Sequence, residues 1–169
     1  MTTKTVKVLP EGKVLTEAKR VRDFMRGGKA TFTVRSKKTG VRFTYKVTTP
    51  KGDAHAVYFV RVLTGPDNYT NYKYIGYVRG GTFTHGGAKA KAGPDAPSVV
   101  AFAYTHKAAN GSNETLPEAL EFRHAGKCCC CGRKLTDPLS IELGIGPVCG
   151  NHKGTSTGKV HKGGAMSAC

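Results

Sequence analysis

The stretch ATFTVRSKKTGVRFTYKVT, residues 30–48, changes residue type at every step. Ala30, Phe32 and Val34 alternate with Thr31, Thr33 and Arg35. After Lys37-Lys38-Thr39-Gly40, Val41, Phe43, Tyr45 and Val47 alternate with Arg42, Thr44, Lys46 and Thr48. A period of two sends one set to a buried face and the other to a wet face, and a short turn with glycine brings the chain back antiparallel. This is a hairpin, and the rest of the sheet is built onto it. Pro50-Lys51-Gly52-Asp53 is the next turn, and His55–Leu63, apolar on both faces apart from Arg61, belongs in the middle of the sheet. Thr64–Asn68 turns the chain, Tyr69–Arg79 reads as a fourth strand and Thr82-Phe83-Thr84 as a short fifth.

The flanks read as helix and loop. Val6–Lys13 is a short strand and turn bent at Pro10-Glu11-Gly12. Thr16 caps a helix to about Arg26, stopped by Gly27-Gly28, with Ala18, Val21, Phe24 and Met25 on one face. Gly86–Pro97 is a Gly/Ala/Lys-rich loop carrying Lys89 and Lys91. Ser98 caps a second helix to about Ala109, whose Val99, Phe102, Ala103 and His106 would cover the apolar face of the sheet. The predicted fold is α+β: an antiparallel β-sheet of four to five strands, one or two covering helices, and a C-terminal zinc-knuckle module. Four segments follow: an N-terminal strand and helix (1–28), a basic sheet plus helix (29–123), a metal module (124–152) and a disordered basic tail (153–169).

The metal module is argued from Cys128-x-x-Cys131-Gly132. Backbone N–H groups of such a turn point at the cysteine sulfurs, and Zn²⁺ takes four soft or borderline ligands in a tetrahedron. Cys149 is the third candidate ligand. The fourth lies between His124, four residues before Cys128, and His152, three after Cys149. Cys129 and Cys130 are left over, because adjacent cysteines do not readily face one ion from the same turn. Between the ligands, Asp137-Pro138 signals a helix start, Ser140–Leu143 is one turn, and Gly144 ends it. A redox pair at Cys128 and Cys131 lacks the βαβ setting of thioredoxin-like motifs.

The run His124-Ala125-Gly126-Lys127-Cys128, Cys131-Gly132-Arg133, Leu135-Thr136-Asp137-Pro138, Ser140 and Gly144-Ile145-Gly146-Pro147-Val148-Cys149 resembles an uncharacterised zinc-binding domain family, a domain of unknown function met in proteins of tailed bacteriophages and plasmids. Its pattern is HxGxCxxCGRxLTxPxS…GIGPxC. Thr31–Gly40, Tyr58–Tyr77 and Asp95–Ser98 are similar to the companion region of such proteins, so the resemblance spans about residues 30 to 150. It implies a structural Zn²⁺ held by Cys128, Cys131 and Cys149, with His124 as the fourth ligand. It implies no reaction.

Charge points to the partner. Lys and Arg number 27 against 11 Asp and Glu, a formal charge of +16, and such one-sided charge points to a polyanion. From Lys29 to Lys91 there are 12 Lys or Arg and only two acids, Asp53 and Asp67. Arg35, Arg42 and Lys46 share a face of the hairpin with Lys37 and Lys38 at its tip, and Tyr69, Tyr72, Tyr74 and Tyr77 crowd the fourth strand. Rings on which bases stack, interleaved with cations that track phosphates, suit nucleic acid. The candidate contacts are Arg35, Lys37, Lys38, Arg42, Lys46, Tyr72, Tyr74, Arg79, Lys89, Lys91 and Arg133. Tyrosines are also ordinary strand residues that pack in cores.

No Ser-His-Asp order, G-x-x-x-x-G-K-S/T loop or carboxylate pair is present; His106 or His152 could serve as a general base, but the chain reads as a non-enzyme, with nucleic-acid hydrolysis the least favoured alternative. No apolar run approaches the ~20 residues of a membrane span. Clustered cysteines without a signal segment fit a reducing cytoplasm, that of the host for a phage protein. The expected role is a zinc-containing accessory protein binding DNA or RNA non-specifically. The alternative is a protein-interaction module that inhibits a host defence or transcription enzyme.

Overall fold

The computed structural model describes residues 14–50, 57–65, 71–135, 138–146 and 148–149. The expected hairpin forms as Lys29–Ser36 (β2) against Arg42–Thr48 (β3), in register from Lys29↔Thr48 to Arg35↔Arg42. Val57–Leu63 (β4), Tyr72–Arg79 (β5) and Thr82–His85 (β6) extend the sheet as an antiparallel meander. On the other side of β2 lies Leu120–His124 (β7), and beyond it Val14–Leu15 (β1). The chain is α+β, with an open seven-stranded antiparallel sheet in the order β1-β7-β2-β3-β4-β5-β6. The expectation of four to five strands is corrected upward. The two additions are short and pair with partners distant in sequence, so no local alternation announces them.

Two helices cover one face. Ala18–Met25 (α1) buries Ala18, Val21, Phe24 and Met25 as expected, and Pro97–Asn110 (α2) buries Val99, Phe102, Thr105, His106 and Ala109. Beneath them Phe32, Val34, Tyr45, Val47, Val60, Val62, Val78 and Phe122 form the apolar side of the sheet. Each large side chain taken from water here is worth about 1.5–3 kcal/mol. Phe24 meets Phe122 edge-on at 5.8 Å, and Phe32 stacks on Phe122 at 4.5 Å, so α1 is seated on the β2–β7 seam.

Both expected helix caps are corrected. Thr16 does not cap α1. Its carbonyl accepts from Leu116 N–H at 2.8 Å, and Glu17 bridges Thr115, so the chain stays extended and Glu17 takes the cap position. Ser98 does not cap α2 either. Pro97 occupies the first helical position, where its fixed φ and missing N–H suit it, and Ala96 precedes it as the cap. Ser98 is drawn inside the first turn, and its carbonyl accepts the Tyr45 hydroxyl at 2.6 Å.

One irregularity sets the other face. In β5, Tyr74 pairs with Arg61 and Gly76 with Val60, so Ile75 is an extra residue, and both Ile75 and Gly76 point inward. A bulge shifts the alternation by one. Without it, Tyr72 and Tyr74 would face one way and Tyr77 the other; with it, all three share the face away from the helices. Glycine is required, since a Cβ at Gly76 would stand 2.4 Å from the Thr84 carbonyl oxygen.

Candidate metal centre and basic sheet face

The metal candidates sit on a small hairpin that continues β7. Leu135 N–H donates to Gly126 O, Cys128 N–H to Arg133 O and Gly132 N–H to Cys128 O, all at 2.8–2.9 Å. Gly126 and Gly132 turn it with φ of 72° and 76°, a region that favours glycine. The hairpin docks on the end of α1. Lys29 N–H donates to Cys129 O at 2.7 Å, and a Cβ at Gly27 would stand 2.5 Å from that same oxygen. Burial, followed by the neighbouring Cys128 charge, pushes the Cys129 thiol up to about 12, which marks it as a packed apolar group.

Pro138–Leu143 (α3) follows, and Gly144 ends it with φ 73°, as the sequence suggests. Asp137, the expected cap, lies outside the described residues. Gly144 O accepts from Cys129 N–H at 3.1 Å, and Gly146 N–H donates to Cys128 Sγ at 3.2 Å. This turn brings Cys149 to the knuckle: the sulfurs of Cys128, Cys131 and Cys149 lie within 4.8 Å of one another. Sulfurs at tetrahedral angles around one ion at ~2.3 Å stand about 3.8 Å apart, so the trio fits a metal. Burial raises the Cys128 thiol, but N–H groups of Cys131, Gly146 and Cys130 outweigh it and hold the group below its ordinary value. Burial and then the Cys128 charge push Cys149 upward. Three sulfurs this close, with Cys128 biased toward thiolate, suit a cation between them.

His124 is the fourth ligand that the family resemblance implies. Its ring does not join the three sulfurs. Nδ1 accepts from Gly126 N–H at 3.0 Å, Nε2 faces the Ile141 carbonyl, and the ring stacks on Phe24 at 5.6 Å. The imidazole is therefore a brace joining β7, the knuckle and α3, with both nitrogens committed. His152, the other fourth-ligand candidate, lies outside the described residues.

Two buried imidazoles make stability depend on pH. Burial, and then Arg26, lowers the His106 pKa; burial lowers that of His124 despite the opposing Ile141 hydrogen bond. His106 shares a recess with Arg22, Arg26 and Asn110 of the helix pair and with Lys107, so every charged neighbour there is a cation. The unfolded chain, with histidine near ~6.5, binds the proton more readily than the fold. Stability is therefore full above about pH 6.5 and falls as pH drops below it. Thermal melts from pH 7.5 to 5 should show the melting temperature declining across that range, with a shallower decline in His106→Leu. Equal slopes would remove His106 from the account.

The second candidate surface is the sheet face away from the helices. One row across it reads Thr31, Lys46, Arg61, Tyr74, and the next pairs Thr48 with Phe59, then Tyr77 and Thr84. Arg35 and Arg42 face each other at the hairpin end. Lys46 Nζ stands 4.1 Å from the centre of the Tyr72 ring, and Arg61 donates to Thr48 Oγ1 at 3.0 Å. Lys37 and Lys38 are exposed at the hairpin tip, as expected. The loop with Lys89 and Lys91 runs beside β5, tied by Lys91 N–H to Tyr74 O at 2.8 Å. Arg133 lies apart, on the knuckle hairpin, where the adjacent Gly132 stands against the Lys29 stem. Tyr69 lies outside the described residues. Phe59, Arg61 and Tyr77 join the face without having been among the candidate contacts. Arg61, the lone cation in an apolar strand, was the available signal.

Among the described residues no helix is long and apolar enough to cross a membrane. Residues 118–152 match the model of a family of unknown function (DUF6011), a span that contains the knuckle, Cys149 and β7. No curated protein and no solved structure matches the chain.

Proposed function

We propose that the chain is a phage-type, zinc-containing accessory protein that binds nucleic acid without sequence preference through its helix-free sheet face. The observation that carries this reading is the convergence there of Arg35, Arg42, Lys46, Arg61 and Arg79 with four aromatic rings, on a chain of formal charge +16. The metal is a structural Zn²⁺ held by Cys128, Cys131 and Cys149, and His152, at a Cys-x-x-His spacing from Cys149, completes the set. Such an ion fixes the knuckle and leaves chemistry to none of the surrounding groups.

The test is fluorescence anisotropy with labelled single-stranded DNA, duplex DNA and RNA across a salt series. Affinity should fall steeply with salt as released counterions lose their advantage, by roughly 0.7–0.9 in log-log slope per phosphate contact. The double reversal Arg42→Glu with Lys46→Glu should weaken binding alike for all sequences. Unchanged affinity would take the sheet face out of the proposal.

A protein-interaction module acting on a host enzyme is the second reading, favoured by Val100 and Tyr104, 53% and 54% exposed on the outer side of α2. On that reading, a partner captured from nuclease-treated lysate is lost with Tyr104→Asp and kept with the sheet-face reversal.

A further inference from the structure

The four rings on the open face are not equivalent, and their differences select the form of nucleic acid that fits. Tyr72 has a cation on its face, the Lys46 ammonium at 4.1 Å. It is a seat for that charge. Phe59 and Tyr74 meet in a T-shaped contact, with centroids 6.1 Å apart and planes at 63°. On the other side of Tyr74 is Gly86, where a Cβ would stand 2.5 Å from Tyr74 Cε1. Tyr74 is thus held between the Phe59 ring and a bare backbone, pre-set before any ligand arrives. Tyr77, half-buried like Tyr74, pairs across strands with Phe59 and Thr84 and has Arg79 5.9 Å from its ring.

Tyr74 and Tyr77 stand opposite Arg61 and Phe59, two residues apart on β4, so the bulge sets them about 7 Å apart along the strand. Bases in a stacked duplex strand follow one another at ~3.4 Å. Successive bases reach both rings only from a strand that is unstacked and splayed, which pairing in a duplex forbids. The cations flank this track: Lys46 and Arg61 in the Tyr74 row toward β3, and the Lys89–Lys91 loop beyond β5.

Resting on the nucleic-acid reading above, we propose that the open face is a single-strand platform. Tyr74 and Tyr77 each stack one unpaired base, Phe59 holds the first ring, and Tyr72 positions Lys46 for phosphate. The ligand class is an unpaired polynucleotide, DNA or RNA, recognised by base faces and phosphates.

The experiment uses the full chain and four probes of equal length: oligothymidylate, oligouridylate, a DNA duplex, and an abasic oligodeoxynucleotide with the same number of phosphates. Anisotropy gives affinity. Tyrosine fluorescence gives stacking directly, because the chain has seven tyrosines and no tryptophan. The two single strands should bind and quench tyrosine emission, while duplex and abasic probes bind at least 10-fold more weakly without quenching. Tyr74→Ala and Tyr77→Ala should each cost about 5- to 150-fold on single strands, and Tyr74→Phe, which keeps the ring, should cost little. Oligothymidylate and oligouridylate differing by more than 10-fold would narrow the class to DNA or RNA and support the platform. Abasic and duplex probes binding as tightly as oligothymidylate would overturn it while leaving nucleic-acid binding intact. Absence of binding by all four at low salt would overturn both. The abasic comparison uses the unaltered chain, so it holds even if a tyrosine variant misfolds.

Discussion

Cys128→Ser is expected to release the metal and lower the melting temperature by at least about 10 °C, at ~2–4 °C per kcal/mol for a chain of this size. Cys128 is fully buried, and the Gly146 amide is directed at its sulfur. Around it the apolar contribution is small, chiefly Cys129, Leu135 and Ile145. Structural zinc binds such small modules with an apparent ~10–16 kcal/mol, which is comparable with the whole ~5–15 kcal/mol stability of a domain. The loss does not stay local, because the knuckle continues β7, whose Phe122 sits between Leu15 and Val34 in the sheet. Elemental analysis paired with thermal melts checks both halves: about one zinc per chain before, none after. His124→Gln is the informative companion. It should keep the metal yet lose about 1–3 kcal/mol from the unmet amide and carbonyl it braces. Loss of zinc in His124→Gln with retention in Cys128→Ser would return the histidine to the ligand set.

Phe102→Ala has the second-largest expected effect, about 3–5 kcal/mol, or roughly 6–20 °C in melting temperature. Phe102 is fully buried, with ring neighbours on three strands and its own helix: Tyr45 at 5.3 Å, Phe83 at 4.8 Å, Phe32 at 6.4 Å and His106 at 6.0 Å. Those strands are β2, β3 and β6, so one side chain fastens α2 across most of the sheet. The cavity cannot collapse readily, since Tyr45 is held by its hydroxyl on Ser98 O and α1 is tied to α2 by Arg26 and Asn110 at 3.1 Å. Denaturant melts should show a lower midpoint at an unchanged slope. A change below about 1 kcal/mol would mean that α2 is held mainly by something else.

The β2–β3 hairpin, α1 and the knuckle were legible because each is written in consecutive residues: alternation, a 3.6-residue stripe, and Cys-x-x-Cys-Gly. β1 and β7 were not, since Val14–Leu15 and Leu120–His124 become strands only by finding each other and β2. Tyr77 is an intermediate case. Tyr72, Tyr74 and Tyr77 cannot share a face under strict alternation, and Gly76 is the one local mark of the bulge that lets them. His124 is ambiguous in sequence for a different reason. A histidine four residues before a knuckle looks the same in sequence whether it ligates or braces, and only the Phe24 ring, the Gly126 amide and the Ile141 carbonyl decide.

The slot that β7 fills gives the chain a history as well as a shape. β1 and β2 leave the ribosome first, and the strand that separates them follows only after the rest of the sheet has been made. At ~5–20 residues per second, β2 waits several seconds with one edge open. An open edge invites a neighbour's strand, and Lys29, Arg35, Lys37 and Lys38 along and beyond β2 repel a second nascent copy during that wait. The three clustered cysteines are made after every strand of the sheet, so closure of the knuckle comes after them and acts as the latch on a strand inserted late.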